Sequence, residues 1–227
     1  MRPLSDDEVW FGPSSFGTAT VAILVASNGA LFYDDFARCA ADPYATQPWQ
    51  RHLGDWSLTG GILRGSRSNA YGYVYVDPSW TNANYSVEAR VQLSTGAYGA
   101  GVGGRLNSDG GHYAAWIYPE NSGGGSNLLK LVKFSGWESW SYNGSNGVPM
   151  AVRSLASVGS AWHTLTLSFT NTNYIEVYYN GTNMISMADT ETNSQPHTSG
   201  GVSLDLWDAT MWVSNVIVKP YPQSKAK

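Results

Sequence analysis

The sequence predicts an all-β fold, a two-sheet antiparallel β-sandwich of about a dozen strands. Three observations predict it. Apolar and polar residues alternate with a period of two in many segments, as they do in strands that bury one face. An Asn180-Gly181 pair separates two such segments. Only 13% of the residues are charged, and the chain contains 25 glycines, 14 tyrosines and 10 tryptophans. This composition suits short strands and tight turns.

The clearest alternation lies in three segments. Two faces alternate along residues 84–93. The polar face carries Ser86, Glu88, Arg90 and Gln92, and the apolar face carries Tyr85, Val87, Ala89, Val91 and Leu93. Residues 162–169 and 201–206 repeat the pattern. Antiparallel sheets with one buried face favour such one-sided strands.

Further strands are expected between these segments, separated by turns rich in glycine, serine and asparagine. A hairpin is predicted over residues 174–187, because a tight turn of this kind needs the positive φ that Asn180 and Gly181 tolerate. The glycine-rich run 99–104 is interpreted as small residues in a curved strand or as a place where a ligand approaches the backbone closely. The other predicted strands lie near residues 31–36, 55–65, 70–76, 98–106, 112–118, 128–135 and 211–219.

The domain organisation is predicted to be simple. No low-complexity linker divides the chain, so one sandwich is expected over residues 30–220, with a tail at 221–227. Residues 1–29 are interpreted as an N-terminal extension or an additional strand. The apolar stretch 20–30 resembles part of a signal peptide, but Asp6, Asp7 and Glu8 stand where a basic region is needed.

Charge and cysteine content exclude several classes of function. The net charge of −4 and the absence of any Lys/Arg run argue against nucleic acid as a partner. No apolar run is long enough to span a bilayer. Cys39 is the only cysteine, which excludes an intramolecular disulfide, and the four histidines lack metal-ligand spacing.

The order of several short motifs resembles the concanavalin A-like lectin/glucanase superfamily, specifically the laminin G-like domains of bacterial extracellular proteins. This resemblance implies a jelly-roll sandwich, a secreted or cell-surface location and a role with a polysaccharide or glycan, in a chain that is a candidate module of a larger protein. The motifs are Leu31–Phe36, Gly54–Ser57, Gly60–Leu63, Trp80, Tyr85–Val91, Gly101–Arg105, Tyr113–Trp116, Trp162–Leu165, Tyr178–Gly181, Ser199–Val202 and Val213–Ile217.

The resemblance leaves catalysis open. Glucanases of this fold carry Glu-x-Asp-x-x-Glu on one strand, and this motif does not occur here, which disfavours a glycoside hydrolase. A polysaccharide lyase needs a base and a group that neutralises the substrate carboxylate. Its candidate residues would be Arg90, Arg105, His112 and Tyr113, although the known lyase patterns of the fold are absent. Non-catalytic binding is therefore the main hypothesis, with a lyase or a structural spacer as alternatives.

A ligand is expected on the polar side of the sheet that contains residues 84–93. Period two places the polar side chains of this strand on one face, and neighbouring strands are expected to add charged and aromatic groups. A solvated face of ion pairs is the alternative. The predicted ligand residues are Glu88, Arg90, Gln92, Arg105, His112, Trp116, Lys130 and Asp205.

Two further tryptophans, Trp137 and Trp140, lie in a loop-like segment and are a second candidate platform for sugar rings. The alternative is that they anchor the loop by aromatic packing.

The same resemblance implies that one structural Ca²⁺ is a candidate ligand. No other cofactor is expected. Related sandwiches hold the ion between an early Asp-Asp-Phe and a late Asp-Asn-Val segment, so Asp34, Asp35 and Asn215 would be its ligands. The late segment here begins with Ser214 instead of an aspartate, and losing a carboxylate weakens a Ca²⁺ site.

Overall fold

In the computed structural model, the described residues are 29–38, 46–77, 79–170 and 173–221, and they form fifteen β-strands. Residues 1–28 of the predicted extension, Cys39 and residues 222–227 of the predicted tail lie outside them. The described ranges contain no helix that is long and apolar enough to cross a bilayer. The strands are β1 (Phe32–Asp34), β2 (Gln50–Leu53), β3 (Asp55–Thr59), β4 (Ile62–Val76), β5 (Tyr85–Leu93), β6 (Gly99–Leu106), β7 (His112–Tyr118), β8 (Leu128–Gly136), β9 (Ser139–Tyr142), β10 (Ser145–Asn146), β11 (Ala151–Ser154), β12 (His163–Thr170), β13 (Tyr174–Tyr179), β14 (Thr182–Ala188) and β15 (Gly201–Pro220).

The strands form one strongly curled antiparallel sheet that folds into two layers, which confirms the predicted jelly-roll sandwich. Two long strands, β4 and β15, take part in both layers. The first half of β15 pairs with β6, and its second half pairs with β5. We call the layer with β2, β6–β11 and residues 201–207 of β15 the front sheet. The layer with β1, β3, β5, β12–β14 and residues 209–220 of β15 is the back sheet.

The core lies between the two layers and is made by the apolar faces of the alternating strands. Val87, Ala89 and Val91 of β5 are fully buried, and they share one cluster with Ala115 and Ile117 of β7. This arrangement explains the sequence pattern, because one face of each layer is removed from water while the other points outward.

The predicted hairpin is confirmed. Strands β13 and β14 pair in antiparallel register around Asn180 and Gly181, which have φ values of 49° and 78°. The glycine-rich run is also explained, by its neighbouring strand rather than by a ligand. A Cβ on Gly101 would lie 1.8 Å from the carbonyl oxygen of Ala115, so β6 and β7 could not approach this closely with any other residue.

Several strand boundaries differ from those expected. The predicted strand 55–65 is a hairpin, because the Gly60-Gly61 pair takes positive φ and turns the chain between β3 and β4. The predicted strands at 201–206 and 211–219 are one strand, interrupted only by register shifts near Asp208 and Ser214. Strands β2, β9, β10 and β11 were not predicted; all are four residues or shorter and show little alternation.

Candidate functional site

The outward face of the front sheet carries a dense aromatic cluster. Period two along β4 directs Tyr71, Tyr73 and Tyr75 to the side that faces away from the core. The other strands of the layer add their own rings to the same side. The buried members of the cluster are Tyr73, Ala114, Trp116, Tyr118, Val132 and Phe134, and the partly buried members include Leu53, Tyr71, Tyr98, Leu128, Trp137, Trp140 and Trp207.

Asp205 of β15 lies beneath these rings and is fully buried. Its Oδ2 accepts hydrogen bonds at 3.1 Å from Nε2 of His112 and at 3.3 Å from Nε1 of Trp116. Nδ1 of His112 lies 2.8 Å from the carbonyl oxygen of Gly110. Both ring nitrogens of His112 therefore lie within hydrogen-bonding distance of an oxygen atom.

Two buried polar atoms beside this pair have no hydrogen-bond partner among the described residues. They are Oδ1 of Asp205 and Oγ of Ser203, which stand two residues apart on the same face of β15. Buried polar groups are usually paired. At this point of the front face, two neighbouring buried oxygen atoms thus remain able to form further hydrogen bonds.

A hairpin made of residues 134–147 covers this part of the face, and we call it the covering hairpin. The ring of Trp137 stacks on His52 of β2 with centroids 4.1 Å apart. Nε1 of Trp140 donates a hydrogen bond to the hydroxyl of Tyr71 at 2.9 Å, and the backbone N–H of Glu138 lies 3.3 Å from the hydroxyl of Tyr73. Since β2 and β4 lie across the layer from β8, these contacts show that the hairpin spans the face.

Four of the half-buried rings lie in a row along the surface of the cluster. Trp140 contacts Tyr71 through the hydrogen bond above, and the ring of Tyr71 lies 4.4 Å from that of Trp207. The ring of Tyr98 follows at 6.4 Å from Trp207. We call these four rings the aromatic row. They come from β9, β4, β15 and the segment between β5 and β6.

The predicted single groove is wrong, because its residues lie on two opposite faces. Glu88, Arg90 and Gln92 point outward from the back sheet, where the guanidinium of Arg90 lies 5.2 Å from the ring of Trp162. Glu88 accepts a hydrogen bond from Thr166, and Gln92 donates one to the carbonyl of Ser160. Strand β5 pairs with the second half of β15, in the back sheet. Strands β6–β8 lie beside the first half of β15, in the front sheet.

The structure brings together four of the other predicted ligand residues, His112, Trp116, Lys130 and Asp205, on the front face. Only Lys130 reaches the surface, because Trp116 is 2% exposed and the other two are fully buried. Nζ of Lys130 lies 4.2 Å from the ring of Tyr118 and donates to the carbonyl of Gly124 at 2.6 Å. Burial lowers the pKa of this ammonium group.

The proposed lyase residues do not form one site. Arg105 is fully buried with a φ of 53°, and its guanidinium donates to the carbonyls of Ala83 and His197. The hydroxyl of Tyr113 donates to Asp189 at 2.6 Å, and burial raises its pKa well above the usual range. Neither group is presented to a substrate. Arg90 and His112, the other two members, lie on opposite faces.

The calcium ligands expected from the resemblance do not fit the ion. Both carboxylate oxygens of Asp34 are engaged by the guanidinium of Arg38, at 2.6 and 2.8 Å, and Oδ2 also accepts from Nε1 of Trp49 at 2.8 Å. Asp35 accepts from the N–H of Ala37, and Asn215 accepts from Ser214. A guanidinium thus stands where a cation would bind. The described residues contain no cluster of three potential metal ligands.

Sequence reasoning missed a buried network of charges at the edge of the core. Nζ of Lys133 lies 2.8 Å from Asp189 and 2.9 Å from Glu191. Burial alone would raise the pKa of the Glu191 carboxyl, but hydrogen bonds from Lys133 and Ser194 outweigh burial and hold that pKa below its usual value. The network attaches the segment 189–197 to the front sheet, and we assign it a structural role.

Sequence reasoning also missed Tyr71 and Tyr98, both members of the aromatic row. A usable signal existed for the first, because Tyr71, Tyr73 and Tyr75 are spaced by two within a predicted strand and therefore share a face. No comparable pattern surrounds Tyr98, which lies in a loop.

The comparisons with known proteins identify the fold and no closer relationship. No family model and no curated protein matches the sequence. Among solved structures, the carbohydrate binding module CBM66 from Bacillus subtilis is similar with a TM-score of 0.60 and 18% identity, over 75% of this chain and 94% of that chain. The β-glucanase of Bacillus licheniformis has a TM-score of 0.59 and 15% identity, over 85% and 99%. The laminarinase catalytic domain of Thermotoga maritima has a TM-score of 0.61 and 10% identity, over 85% and 98%.

These similarities establish the jelly-roll sandwich fold. The same fold serves both a glycan-binding module and glucanases, so the function of this chain has to be argued from its own residues.

Proposed function

We propose that this protein is a carbohydrate-binding domain that holds a polysaccharide or glycan against the aromatic row of its front sheet. The observation that carries the proposal is the row itself, in which Trp140, Tyr71, Trp207 and Tyr98 contact one another in sequence and each stays partly exposed. The apolar faces of sugar rings pack on aromatic rings, while polar groups at the edges bind their hydroxyls. A row of rings matches an extended chain of sugars.

Binding without hydrolysis is favoured by the distribution of carboxylates. Glycoside hydrolases need two carboxyl groups that flank the scissile bond. Among the described strand residues of the front sheet, Asp205 is the only carboxylate, and it is buried against His112 and Trp116. Glu138 lies in the turn of the covering hairpin and is exposed. The described strands of the front sheet thus present no pair of carboxylates beneath the aromatic row.

A polysaccharide-degrading enzyme of the same fold is the alternative, since the laminarinase and the β-glucanase have similar structures. The buried His112–Asp205 pair is the feature that favours it, because unused polar capacity beneath an aromatic surface also occurs in active sites. In that case the covering hairpin would have to move before a substrate could reach Asp205. A structural spacer domain is a third possibility, and it would show neither binding nor turnover.

Two further properties of the domain are its location in or outside the cell and its type within the jelly-roll fold. We also propose that the domain is secreted or displayed on a cell surface, as a module of a larger protein, because its short motifs resemble those of bacterial extracellular proteins. The order of its short motifs supports the laminin G-like type within the fold.

The proposal is tested with native gels that contain, one at a time, β-1,3-glucan, β-1,3-1,4-glucan, levan, xylan and polygalacturonate. Retardation by at least one polysaccharide, without new reducing ends or unsaturated products, is the expected result. Release of reducing ends would favour a hydrolase, and absorbance of unsaturated products would favour a lyase. The absence of both retardation and products from every polymer would favour the spacer.

A further inference from the structure

A polar groove lies at one end of the aromatic row, at the corner where β4 and β15 pass from the front sheet to the back sheet. Its volume is about 400 Å³, and the side chains that line it include Asp55, Arg67, Thr95 and Asp208. We call it the corner groove. It lies on the surface, separate from the buried His112–Asp205 pair.

The groove is formed by an irregularity in both long strands. The pairing of β15 with β4 shifts register between Trp207 and Ala209. Asp208 and Asn69 face each other there with φ values of 42° and 50°, and the N–H of Asn69 donates to Oδ1 of Asp208 at 2.9 Å. This local bond supports two residues in a backbone conformation that aspartate and asparagine tolerate better than most.

The charged groups of the groove have unused hydrogen-bonding capacity. The guanidinium of Arg67 and the carboxylate of Asp55 form no ion pair or side-chain hydrogen bond with any other part of the described chain. Asp208 uses only Oδ1 for its bond to Asn69. A planar guanidinium and two carboxylates within one groove can donate to and accept from neighbouring hydroxyl groups at the same time.

The groove lies next to the aromatic row, because its lining residues Ala97 and Asp208 are the chain neighbours of Tyr98 and Trp207. Trp207, a ring of the row, precedes Asp208 in the chain, and the N–H of Tyr98 donates to the carbonyl of Asp208 at 3.0 Å. A sugar chain stacked on Trp207 and Tyr98 would therefore extend into the groove.

We propose that the corner groove is a second subsite, which binds a neutral sugar unit of the same glycan through vicinal hydroxyl groups. Arg67 donates hydrogen bonds to these hydroxyls, and Asp55 and Asp208 accept from them. Two carboxylates and one guanidinium give the groove a net negative charge, so a uronic acid is disfavoured by repulsion. This proposal rests on the proposed function, because it identifies the class of sugar that the front sheet binds.

The test uses an array of neutral gluco-oligosaccharides, as trisaccharides and hexasaccharides, together with oligogalacturonates of the same lengths. Wild type is compared with Arg67→Ala, Asp55→Asn and Trp207→Ala. The matched control is Arg153→Ala, which removes an exposed arginine from β11 outside the groove. Arg67 and Asp55 contribute no packing to the core, so both groove variants are expected to keep the wild-type thermal midpoint.

The expected result is that wild type binds neutral hexasaccharides. Arg67→Ala and Asp55→Asn should bind them about tenfold more weakly, the loss expected for a hydrogen bond to a charged group. Trisaccharides should be much less affected, because the aromatic row alone can hold them, and Arg153→Ala should match wild type.

The contradicting results separate the two proposals. If wild type binds and Trp207→Ala abolishes binding while both groove variants match wild type, the subsite is wrong and the proposed function stands. A preference of wild type for oligogalacturonates would also overturn the subsite. If wild type binds nothing on the array and nothing in the gels, both proposals fall.

Discussion

The indole nitrogen of Trp140 donates a hydrogen bond to the hydroxyl of Tyr71 at 2.9 Å, although 69 residues separate them in the chain. This bond joins the covering hairpin to the centre of the front sheet. It also sets the first contact of the aromatic row, because the ring of Tyr71 then packs against Trp207. The proposed binding surface thus depends on a hairpin whose strands β9 and β10 are only four and two residues long.

Removing this bond while keeping the ring should loosen the hairpin. Tyr71→Phe leaves Nε1 of Trp140 without its acceptor and is expected to cost about 1 kcal/mol of local stability. Hydrogen exchange should therefore speed up in residues 137–146, while the core strands keep their protection. Tyr75→Phe is the matched control, since Tyr75 lies on the same strand and its hydroxyl bonds Gln50 instead. Equal exchange in both variants would show that the Tyr71 bond does not hold the hairpin.

Substituting the two buried polar residues Asp205 and Ser203 of β15 should change stability by very different amounts. Asp205→Asn breaks a buried pair with His112 and is expected to cost about 3–5 kcal/mol of unfolding free energy. Ser203→Ala removes a buried hydroxyl that has no partner, so it should change stability by less than about 0.5 kcal/mol or increase it. Urea titration measures both. A cost for Ser203→Ala as large as that of Asp205→Asn would show that the hydroxyl is bonded in solution.

Acidification should destabilise the protein through His197. Burial lowers the pKa of this imidazole to about 4 from a usual value of 6.5, so the unfolded chain takes up the proton first as pH falls. The unfolding free energy should then decrease by up to about 3 kcal/mol across that interval and level off below it. His197→Gln should flatten the dependence, as measured by urea titration at several pH values. An equal slope in wild type and variant would assign the effect to other groups.

Calcium should not change the stability of the domain. The carboxylate of Asp34 is already neutralised by Arg38 and bonded by Trp49, so thermal midpoints in excess EDTA and in excess Ca²⁺ should agree. Arg38→Ala leaves a buried carboxylate without its counter-charge and should lower the midpoint strongly. A rise of the wild-type midpoint on adding Ca²⁺ would contradict the arrangement seen at Asp34.

The sequence predicted the fold class well because alternation reports directly on which face of a strand is buried. Residues 84–93 and 162–169 follow this pattern without interruption and became β5 and β12. The pattern is local, however, and does not tell which strands are neighbours. The predicted groove failed for this reason, since β15 changes partner from β6 to β5 at its midpoint.

The candidate site was predictable only in part. Trp137 and Trp140 were recognised as a possible platform, and both lie in the covering hairpin. The position of the covering hairpin over the front face was not predicted. It depends on contacts with His52, Tyr71 and Tyr73, which are distant from the hairpin in the chain. Trp116 looked available on its strand and is buried for the same reason.

The measurement that tests the central claim most directly compares Trp207→Ala with Trp212→Ala. Both tryptophans lie on β15 and are partly buried, but Trp207 belongs to the aromatic row of the front sheet and Trp212 belongs to the back sheet. Dissociation constants are measured by calorimetry on the polysaccharide that retards wild type most, with thermal midpoints as a control for folding. Trp207→Ala is expected to bind at least about tenfold more weakly, because it loses a central aromatic contact, while Trp212→Ala should bind like wild type. Unchanged binding by a folded Trp207→Ala, or a loss confined to Trp212→Ala, would contradict binding at the aromatic row.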